Sequence, residues 1–361
     1  MKHWSAGQLA ALRRLRERFL SGTAGEGDYW RSAEELELYD ATFGERIGWK
    51  LDAVLADLAR LSWRPRSRQV LDWGCGSGIA GRRVLAQWPH LVSLSLHDRS
   101  PLATRFAAER ARAAFPHVRV RTFDYLEPET LLVVSNVLNE LPDAAFAALL
   151  ELARQATEVL WIEPGTHAES RRLIGVREAL LECSASFQLA DGIDCKLEAL
   201  EARATLAEIC ATFRVVAPCT HRARCGLLAP ENGSHWCHHF APAPAAIFQD
   251  ARWVEFGREM SIDLRSVPYS YVVLERAENG PPLPAGFSRV IGRPREAKGY
   301  LKVLSCEASG VAELMLQKRD AAELFRAFRK GEAAPVQRWT FRNGKIVSGE
   351  VPPLGEAAAP Q

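Results

Sequence analysis

The residues whose types and spacing suggest chemistry begin at Asp72, within an apolar run over residues 70–73. Three alternate glycines follow this run, at Gly74, Gly76 and Gly78. Glycine lets a backbone approach a ligand closely, and the free N–H groups at the start of a following helix can bind polar groups. The segment therefore predicts a strand, a ligand-binding turn and a helix, in that order.

Two classes of cofactor suit this turn. Gly76, Gly78 and Gly81 also have the spacing of a dinucleotide-binding loop, and Asp98 lies at a sequence distance suited to a ribose hydroxyl. Asp72 separates the two classes, because a carboxylate at the end of the strand repels a pyrophosphate and attracts an ammonium group. S-adenosylmethionine carries an ammonium group. The pattern thus resembles the first motif of the class I methyltransferases.

The ends of the following strands agree with this interpretation. Asp98 would hold the ribose and Asp124 would face the adenine amino group. Asn136, Glu140 and Glu163 could line the cofactor or acceptor pocket, although Asn136 and Glu140 could equally cap the next helix. The segment around Asn136 lacks both an Asn/Asp-Pro-Pro-aromatic tetrapeptide and a cysteine, which are used in the familiar base methylations, so no residue is assigned as catalytic.

The elements that position these residues alternate between strand and helix. Apolar strands separated by helical patterns predict an α/β fold with a doubly wound, Rossmann-like parallel sheet. Together with the glycine motif, the resemblance implies the fold of a class I S-adenosylmethionine-dependent methyltransferase. The strands are expected at 70–73, 91–96, 118–123, 131–135 and 159–162, with further strands at 213–217 and 269–274 after a helical region over 173–210. We expect a helical N-terminal region (1–67), a methyltransferase-like domain (68–276), a β-rich C-terminal extension (277–350) and a disordered tail (351–361).

Composition narrows the class of protein. The chain has 361 residues, of which 47% are hydrophobic and 25% charged, so a disordered or low-complexity protein is excluded. A net charge of +2 does not by itself predict a polyanionic partner. The chain contains no run of about 20 apolar residues and no secretory signal, so we expect a cytoplasmic protein without a membrane partner. Eight cysteines are too few for a disulfide scaffold.

An aperiodic segment over residues 218–240 contains three of those cysteines, Cys219, Cys225 and Cys237. A loop that buries little apolar surface needs another source of order, and metal thiolates can provide it. The fourth ligand could be a nearby histidine, which would suit zinc, or the distant Cys306, which would give four thiolates. Spacing does not choose between them. The other cysteines, Cys75, Cys183, Cys195 and Cys210, are interpreted as small buried residues.

The cysteine segment and several short motifs resemble the methyltransferase-like small-subunit ribosome assembly factors of mitochondria and their bacterial relatives. That resemblance covers about residues 68–330. It implies a [4Fe-4S] cluster held by Cys219, Cys225, Cys237 and Cys306, and association with the small ribosomal subunit and its RNA. Four thiolates would close the cluster, which implies a structural or redox-sensing role. Gly226 departs from the family, which often has proline there. The matching segments are 139–141, 163–165, 217–221, 225, 236–238, 269–274 and 305–306.

A group of basic residues follows the cysteine segment, with Glu296 as the single opposing acid in that stretch. Several such charges on one face can neutralise phosphates, and the family resemblance makes ribosomal RNA the natural ligand. On charge alone, a solvated surface is the better interpretation. The residues are Arg289, Arg293, Arg295, Lys298 and Lys302, with Arg222 and Arg224 inside the cysteine segment.

The leading hypothesis is therefore an S-adenosylmethionine-binding protein with an iron–sulfur cluster that methylates small-subunit ribosomal RNA or takes part in assembly of the subunit. Asp72, Gly74, Gly76, Gly78, Asp98, Asp124 and Asn136 would bind the donor. The alternative is a non-catalytic assembly factor that binds the subunit through the same fold. A weaker alternative is an NAD-dependent oxidoreductase with a zinc-binding segment.

Overall fold

The computed structural model describes residues 3–21, 30–181, 186–188, 194–196, 213–276 and 285–352. Cys183, Cys210, the side chain of Cys195, most of the predicted helical region beyond Leu181 and residues 353–361 of the predicted tail lie outside the described residues. The chain forms two compact units. The first comprises Met1–Ala59, Arg64–Pro164 and Phe240–Tyr269, and the second comprises Arg60–Trp63, Gly165–His239 and Ser270–Gln361. The predicted domain boundaries remain predictions.

The first unit contains five parallel strands in the order β3-β2-β1-β4-β5. Their apolar side chains are almost all buried, because helices cover both faces of such a sheet. The order reverses direction between β1 and β4, and ligands of doubly wound sheets bind at that point. The strands are β1 (Gln69–Trp73), β2 (Ser93–His97), β3 (Arg119–Thr122), β4 (Thr130–Ser135) and β5 (Glu158–Pro164).

Helices connect these strands and precede them. In the helical N-terminal region, called the leader below, α2 begins after Ser32, whose side chain accepts a hydrogen bond from the N–H of Glu35. The helix continues into a π-helical turn over Asp40–Gly44. Leader residues Leu15, Leu36 and Tyr39 share a core cluster with Phe106. The helices of this unit are α1 (Ala6–Ser21), α2 (Ala33–Tyr39), α3 (Glu45–Arg60), α4 (Ile79–Gln87), α5 (Pro101–Ala114), α6 (Asp143–Gln155) and α8 (Ala251–Glu259).

The second unit includes α7, a β segment and the cysteine-rich loop. Strand β8 pairs antiparallel with β10, and the loop between them contains short 3₁₀ turns at Gly226–Leu228 and Pro230–Asn232. The elements of this region are α7 (His167–Leu181), β6 (Ser186–Gln188), β7 (Asp194–Lys196), β8 (Phe213–Ala217), β9 (His239–Ala241) and β10 (Val267–Arg276). Parts of β9 and β10 fall in the ranges of the first unit, and so does a 3₁₀ turn at Ala245–Phe248.

The C-terminal strands of the second unit close into a barrel in the order β11-β12-β13-β15-β14. Strand β13 runs parallel to β15, and every other neighbouring pair is antiparallel. The hydrophobic core of the barrel includes Val303, Leu316, Phe325 and Ile346. The elements are β11 (Ser288–Ala297), β12 (Tyr300–Glu307), β13 (Gly310–Gln317), α9 (Ala322–Lys330), β14 (Val336–Arg342) and β15 (Lys345–Glu350).

The predicted fold class is confirmed. A doubly wound α/β sheet, a helical leader, a cysteine-rich segment and a β-rich C-terminal part are all present. Within the described ranges, no helix is both long enough and apolar enough to cross a bilayer.

Candidate functional site

A cavity of about 350 Å³ lies in the first unit, at the carboxyl ends of β1, β2 and β4. This is the switch point of the strand order, where a small-molecule site is expected. The predicted binding residues Asp72, Gly74, Gly76, Asp98 and Asn136 all line it. Other lining residues include Phe19, Trp30, Tyr39, Ile47, His97, Arg99 and Glu140.

The glycine turn is built as the sequence predicts. Gly74 and Gly76 have φ values of +70° and +51°, in the region that favours glycine. The N–H of Gly76 donates to Oδ2 of Asp98 at 2.9 Å, while Oδ1 of Asp98 accepts from the N–H of Ser100 at 2.9 Å. Asp98 therefore fixes the turn after β1 against the end of β2, and it does so with both carboxylate oxygens.

Gly78 has a different purpose from Gly76. A Cβ built on Gly78 would lie 2.7 Å from the Cβ of Ala107, so glycine is needed there for the packing of α4 against α5. A Cβ built on Gly76 would meet no atom within 4 Å, so the space above it is open. Gly78 is outside the cavity lining, and so is Asp124, which is exposed after β3. The predicted adenine contact of Asp124 has no support in this arrangement.

Asp72 is 1% exposed at the end of β1, and its Oδ2 accepts the N–H of Gly81 at 2.9 Å. Burial raises its pKa to about 7, although the Gly81 hydrogen bond and the Arg82 guanidinium act in the opposite direction. The negative charge of nearby Asp98 adds to the upward shift. Asp72 therefore closes the first turn of α4 and places a carboxyl group with a raised pKa at the cavity.

Asn136 adopts an unusual backbone conformation at the end of β4, with φ of +56°. Its Oδ1 accepts from Nζ of Lys50 at 3.1 Å, and its Nδ2 donates to Oγ of Ser135 at 2.9 Å. Glu163 supports the same turn from behind, since its Oε1 accepts from the N–H groups of Val137 and Leu138. Burial raises the pKa of Glu163 to about 7. Glu163 is absent from the cavity lining.

The leader contributes a wall that sequence reasoning missed. Tyr39 packs edge-to-face against Trp30 and tilts against Phe19, and all three rings line the cavity. Burial raises the pKa of the Tyr39 phenol well above its usual range, and the carboxylates of Glu140 and Asp98 add to the shift. A π-helical turn follows Tyr39, as is frequent at functional sites, but it is visible only in the structure, so no sequence signal indicated this wall.

Ion pairs attach the leader to α4. Nη2 of Arg82 lies 2.6 Å from Oδ1 of Asp40, and both side chains are largely buried. The other arginine nitrogen, Nη1, donates to the carbonyl of Ser77 in the glycine turn at 2.7 Å. Arg82 thus connects the π-helical turn to the ligand-binding turn with a single guanidinium.

Glu140 lines the cavity and lies in the short helical turn after β4. Burial raises its pKa to about 7, while Arg99 lowers it and Asp98 raises it further. A carboxyl group that titrates near neutrality can take up a proton at physiological pH. Glu140 is therefore the titratable cavity residue best suited to proton transfer.

The four predicted metal ligands all lie in the second unit. Cys219 follows β8, Cys225 and Cys237 lie in the loop, and Cys306 lies near the end of β12. Cys225 and Cys306 belong to one buried cluster, against which Cys237 packs. Burial raises the pKa of Cys306, and the Cys219, Cys225 and Cys237 thiolates add to the shift, so the four sulfur atoms lie within electrostatic range of one another.

Helix α7 holds the cysteine loop through the loop's carbonyl groups. Nη2 of Arg177 donates to the carbonyls of His221 and Ala223, at 3.0 and 3.1 Å. Arg171 donates to the carbonyl of Leu227 at 3.0 Å, and Oγ of Ser170 donates to the carbonyl of Cys237 at 2.6 Å. The carbonyl groups of this loop are not paired in a β-ladder, and the side chains of α7 supply hydrogen bonds to them instead.

Two histidines lie next to the thiols. Nε2 of His239 is 3.8 Å from Sγ of Cys237, and Nε2 of His221 is 3.8 Å from Sγ of Cys306. In the part of the chain that the structure describes, no three Cys, His, Asp or Glu side chains gather closely enough to hold a single metal ion. The zinc site and the four-cysteine cluster considered from the sequence both stay predictions.

Glycine is required at position 226 for a steric reason. A Cβ built on Gly226 would lie 2.8 Å from the Cα of Gly310, the first residue of β13. The cysteine loop and the barrel thus meet backbone to backbone, which excludes the proline that the family often has at this position.

The basic group is arranged differently from the prediction. Arg289 is 4% exposed and stacks over the ring of Tyr271, so it is not part of a surface patch. Glu296 is not the single acid near the group, because Glu313 on β13 pairs with both Arg295 and Lys302. The spacing of the barrel strands could not be read from the sequence, so the partner on β13 was missed.

The parallel sheet, the glycine turn and the switch-point cavity together define a Rossmann-like protein with the class I methyltransferase fold. The family model described as mitochondrial small ribosomal subunit Rsm22 matches residues 49–334, and the chain belongs to this family. The resemblance stated from the sequence motifs is thereby confirmed. A search of curated proteins gives no match.

Solved structures resemble the chain only distantly. A protein from Pyrococcus horikoshii assigned as an RNA methyltransferase is 13% identical with a TM-score of 0.35, over 72% of this chain and 98% of that one. Magnesium protoporphyrin IX methyltransferase from Synechocystis with bound S-adenosylmethionine is 16% identical with a TM-score of 0.31, over 50% and 90%. A protein from Nostoc punctiforme assigned as an O-methyltransferase is 13% identical with a TM-score of 0.32, over 43% of this chain and 52% of that one. The chain thus spans about half the length of the Nostoc protein, and these likenesses do not indicate function.

Proposed function

We propose that this protein binds S-adenosylmethionine in the first unit. With this donor it would methylate the RNA of the small ribosomal subunit or take part in assembly of that subunit. The observation that carries the proposal is the glycine turn closed by Asp98 at a switch-point cavity, in a chain of the Rsm22 family. The ribosomal partner follows from the family. The donor follows from the chemistry of the cavity.

The residues of the cavity fit this donor. The open space above Gly76 admits a ligand against the backbone, and Asp98 lies beside it to accept hydroxyl groups of a ribose. The Asp72 carboxylate would attract the donor's ammonium group, which would in turn favour the ionised carboxylate. Asp124 is exposed outside the cavity lining, so the proposal assigns it no contact with the donor.

The donor supplies an electrophilic methyl group on a sulfonium sulfur. The residues of this chain would align the acceptor and take its proton. Glu140, with a pKa near 7, is the candidate base, and the aromatic wall formed by Tyr39, Trp30 and Phe19 excludes water from one side. Asn136 is less suited to grip an acceptor, because Lys50 and Ser135 already engage its amide.

We also propose that Cys219, Cys225, Cys237 and Cys306 hold a [4Fe-4S] cluster with a structural or redox-sensing role. Each of the four irons takes one thiolate, so the sulfur atoms stand farther apart than around one ion. Buried Arg177 and Arg289 face these thiols, and their charges would complement the anionic cluster. Both the donor set and its charge environment therefore fit the group.

A non-catalytic assembly factor is the second candidate function. The engaged amide of Asn136 and the missing base-methylation tetrapeptide favour it, whereas the intact glycine turn favours the enzyme. An NAD-dependent oxidoreductase is weaker, because Asp72 would place a carboxylate against a pyrophosphate. A cytoplasmic location stays a prediction, and the family description names mitochondria instead.

The test is methyl transfer from labelled donor to small subunits from a strain without this gene, using protein purified anaerobically. We expect label in RNA, and we expect Asp98→Asn to abolish it. Asp124→Asn is the matched control, since Asp124 is exposed outside the cavity lining and its change should leave most of the label. Donor binding without any label would reject the enzyme in favour of the assembly factor.

A further inference from the structure

The C-terminal barrel has the topology of an OB-fold. Five strands close in the order 1-2-3-5-4, the third and fifth are parallel, and a helix lies between the third and fourth. OB-folds bind oligonucleotides on the face of strands 2 and 3 and with the loops joining strands 1 to 2 and 4 to 5. In this chain those parts are β12, β13, the turn at residues 298–299 and the turn at residues 343–344.

The outer face of β12 and β13 carries side chains suited to a nucleic acid. Lys302 on β12 lies opposite Arg295 on β11 and Met315 on β13, and Met315 in turn pairs with Lys345 on β15. Two residue pairs farther along, and therefore on the same face, Tyr300 lies opposite Gln317. A row of cations and an aromatic ring therefore cross the face that OB-folds use.

An open groove of about 550 Å³ extends from this face at the end of the two strands. Lys298, Tyr300, Lys318 and Arg319 line it, and the N–H of Lys318 donates to the carbonyl of Gly299, which joins the first turn to the end of β13. Among the described residues, neither Lys298 nor Lys318 has a carboxylate within ion-pair distance. Glu313 instead neutralises the middle of the face.

Aromatic rings and cations serve different parts of a single strand. An aromatic ring stacks on an unpaired base, which a duplex does not offer, and lysines neutralise the backbone phosphates. Tyr300 is partly exposed, and Lys298, Lys318 and Arg319 are exposed around it. The combination thus favours a single strand over a duplex.

We propose that the groove of Lys298, Tyr300, Lys318 and Arg319 binds single-stranded RNA, with Tyr300 stacking on a base and the three cations on phosphates. This inference identifies a surface for the RNA contact proposed above, and it rests on that proposal for the source of the RNA. The surface is separate from the cysteine site. Cys306 is six residues along β12 from Tyr300, which is about 20 Å for an extended strand.

The test is fluorescence anisotropy of the full-length protein with a labelled oligouridine of about 12 nucleotides, within the range of OB-fold sites. We expect Tyr300→Ala to weaken binding about fivefold or more, and Tyr300→Phe to retain it, since stacking is preserved. The double variant Lys298→Ala/Lys318→Ala should weaken binding and reduce the slope of log affinity against log salt by about 1.4.

The matched control is Lys330→Ala/Arg338→Ala, which removes two exposed cations of the same barrel outside the groove and should bind as the wild type does. Thermal unfolding of each variant checks that the barrel remains folded. Wild-type affinity in Tyr300→Ala, preference for a hairpin duplex, or no binding to oligouridine at low salt would overturn the inference. Donor binding is measured on the same samples, so failure of the methyl-donor proposal would appear separately.

Discussion

At the scale of single residues, carboxyl groups hold the backbone around the first unit's cavity and give the cavity its titratable groups. Asp98 holds the glycine turn with both oxygens, Asp72 closes α4, and Glu140 faces the open space. Asp72 and Glu140 have pKa values raised to about 7 by burial. Their protonation therefore changes near neutral pH, unlike that of ordinary carboxyl groups.

Donor binding should depend on pH through Asp72. In the free protein Asp72 is mostly protonated below pH 7, and an ammonium group binds the ionised form, so binding releases a proton. We expect affinity to rise with pH, by up to about tenfold per unit below pH 7. Asp72→Asn keeps an oxygen for the N–H of Gly81 and should remove most of this dependence. Calorimetry at several pH values measures it, and an unchanged slope in the variant would reject the role of Asp72.

At the scale of elements, α7 and the barrel strand β12 bring the four cysteines together. The arginines of α7 hold the loop carbonyls, and Gly226 lets the loop meet the start of β13. The conformation of the cysteine loop is thus fixed by α7 and the barrel and, under the proposed function, by an iron–sulfur cluster.

Removing one ligand should therefore cost both iron and stability. We expect Cys306→Ser, purified anaerobically, to lose most of its iron and to unfold at a lower temperature, because the three remaining thiolates would no longer hold a complete cluster. Cys75→Ser is the control, since Cys75 is a buried cysteine of the other unit and should leave the iron content unchanged. Equal iron and melting temperature in Cys306→Ser and wild type would exclude Cys306 as a ligand.

Local sequence patterns predicted the positions of the strands better than the tertiary contacts of individual residues. The five parallel strands were located to within about two residues, because each is a short apolar run bounded by turns. The leader's contribution to the cavity was missed, since Tyr39 and Lys50 reach the site only through tertiary packing. For the same reason Arg289 was placed on the surface although it is buried against Tyr271.

At the scale of the whole molecule, each compact unit has a candidate site of its own. The first has the switch-point cavity, and the second has the cysteine group and the barrel groove. Barrel closure was beyond sequence reasoning, because it depends on the parallel pairing of Met315 with Lys345 across an intervening helix. A β-rich extension was predicted, but its OB-fold topology became visible only in the structure.

The most direct test of the central claim is calorimetric titration of the anaerobically purified protein with S-adenosylmethionine at pH 7. The structure predicts saturable binding of one molecule per chain, weakened at least about tenfold by Asp98→Asn, since a charged hydrogen-bond acceptor is lost. The exposed Asp124→Asn serves as the control and should bind with little change. No binding by the wild type, or equal affinity in wild type and Asp98→Asn, would contradict a donor site at the glycine turn.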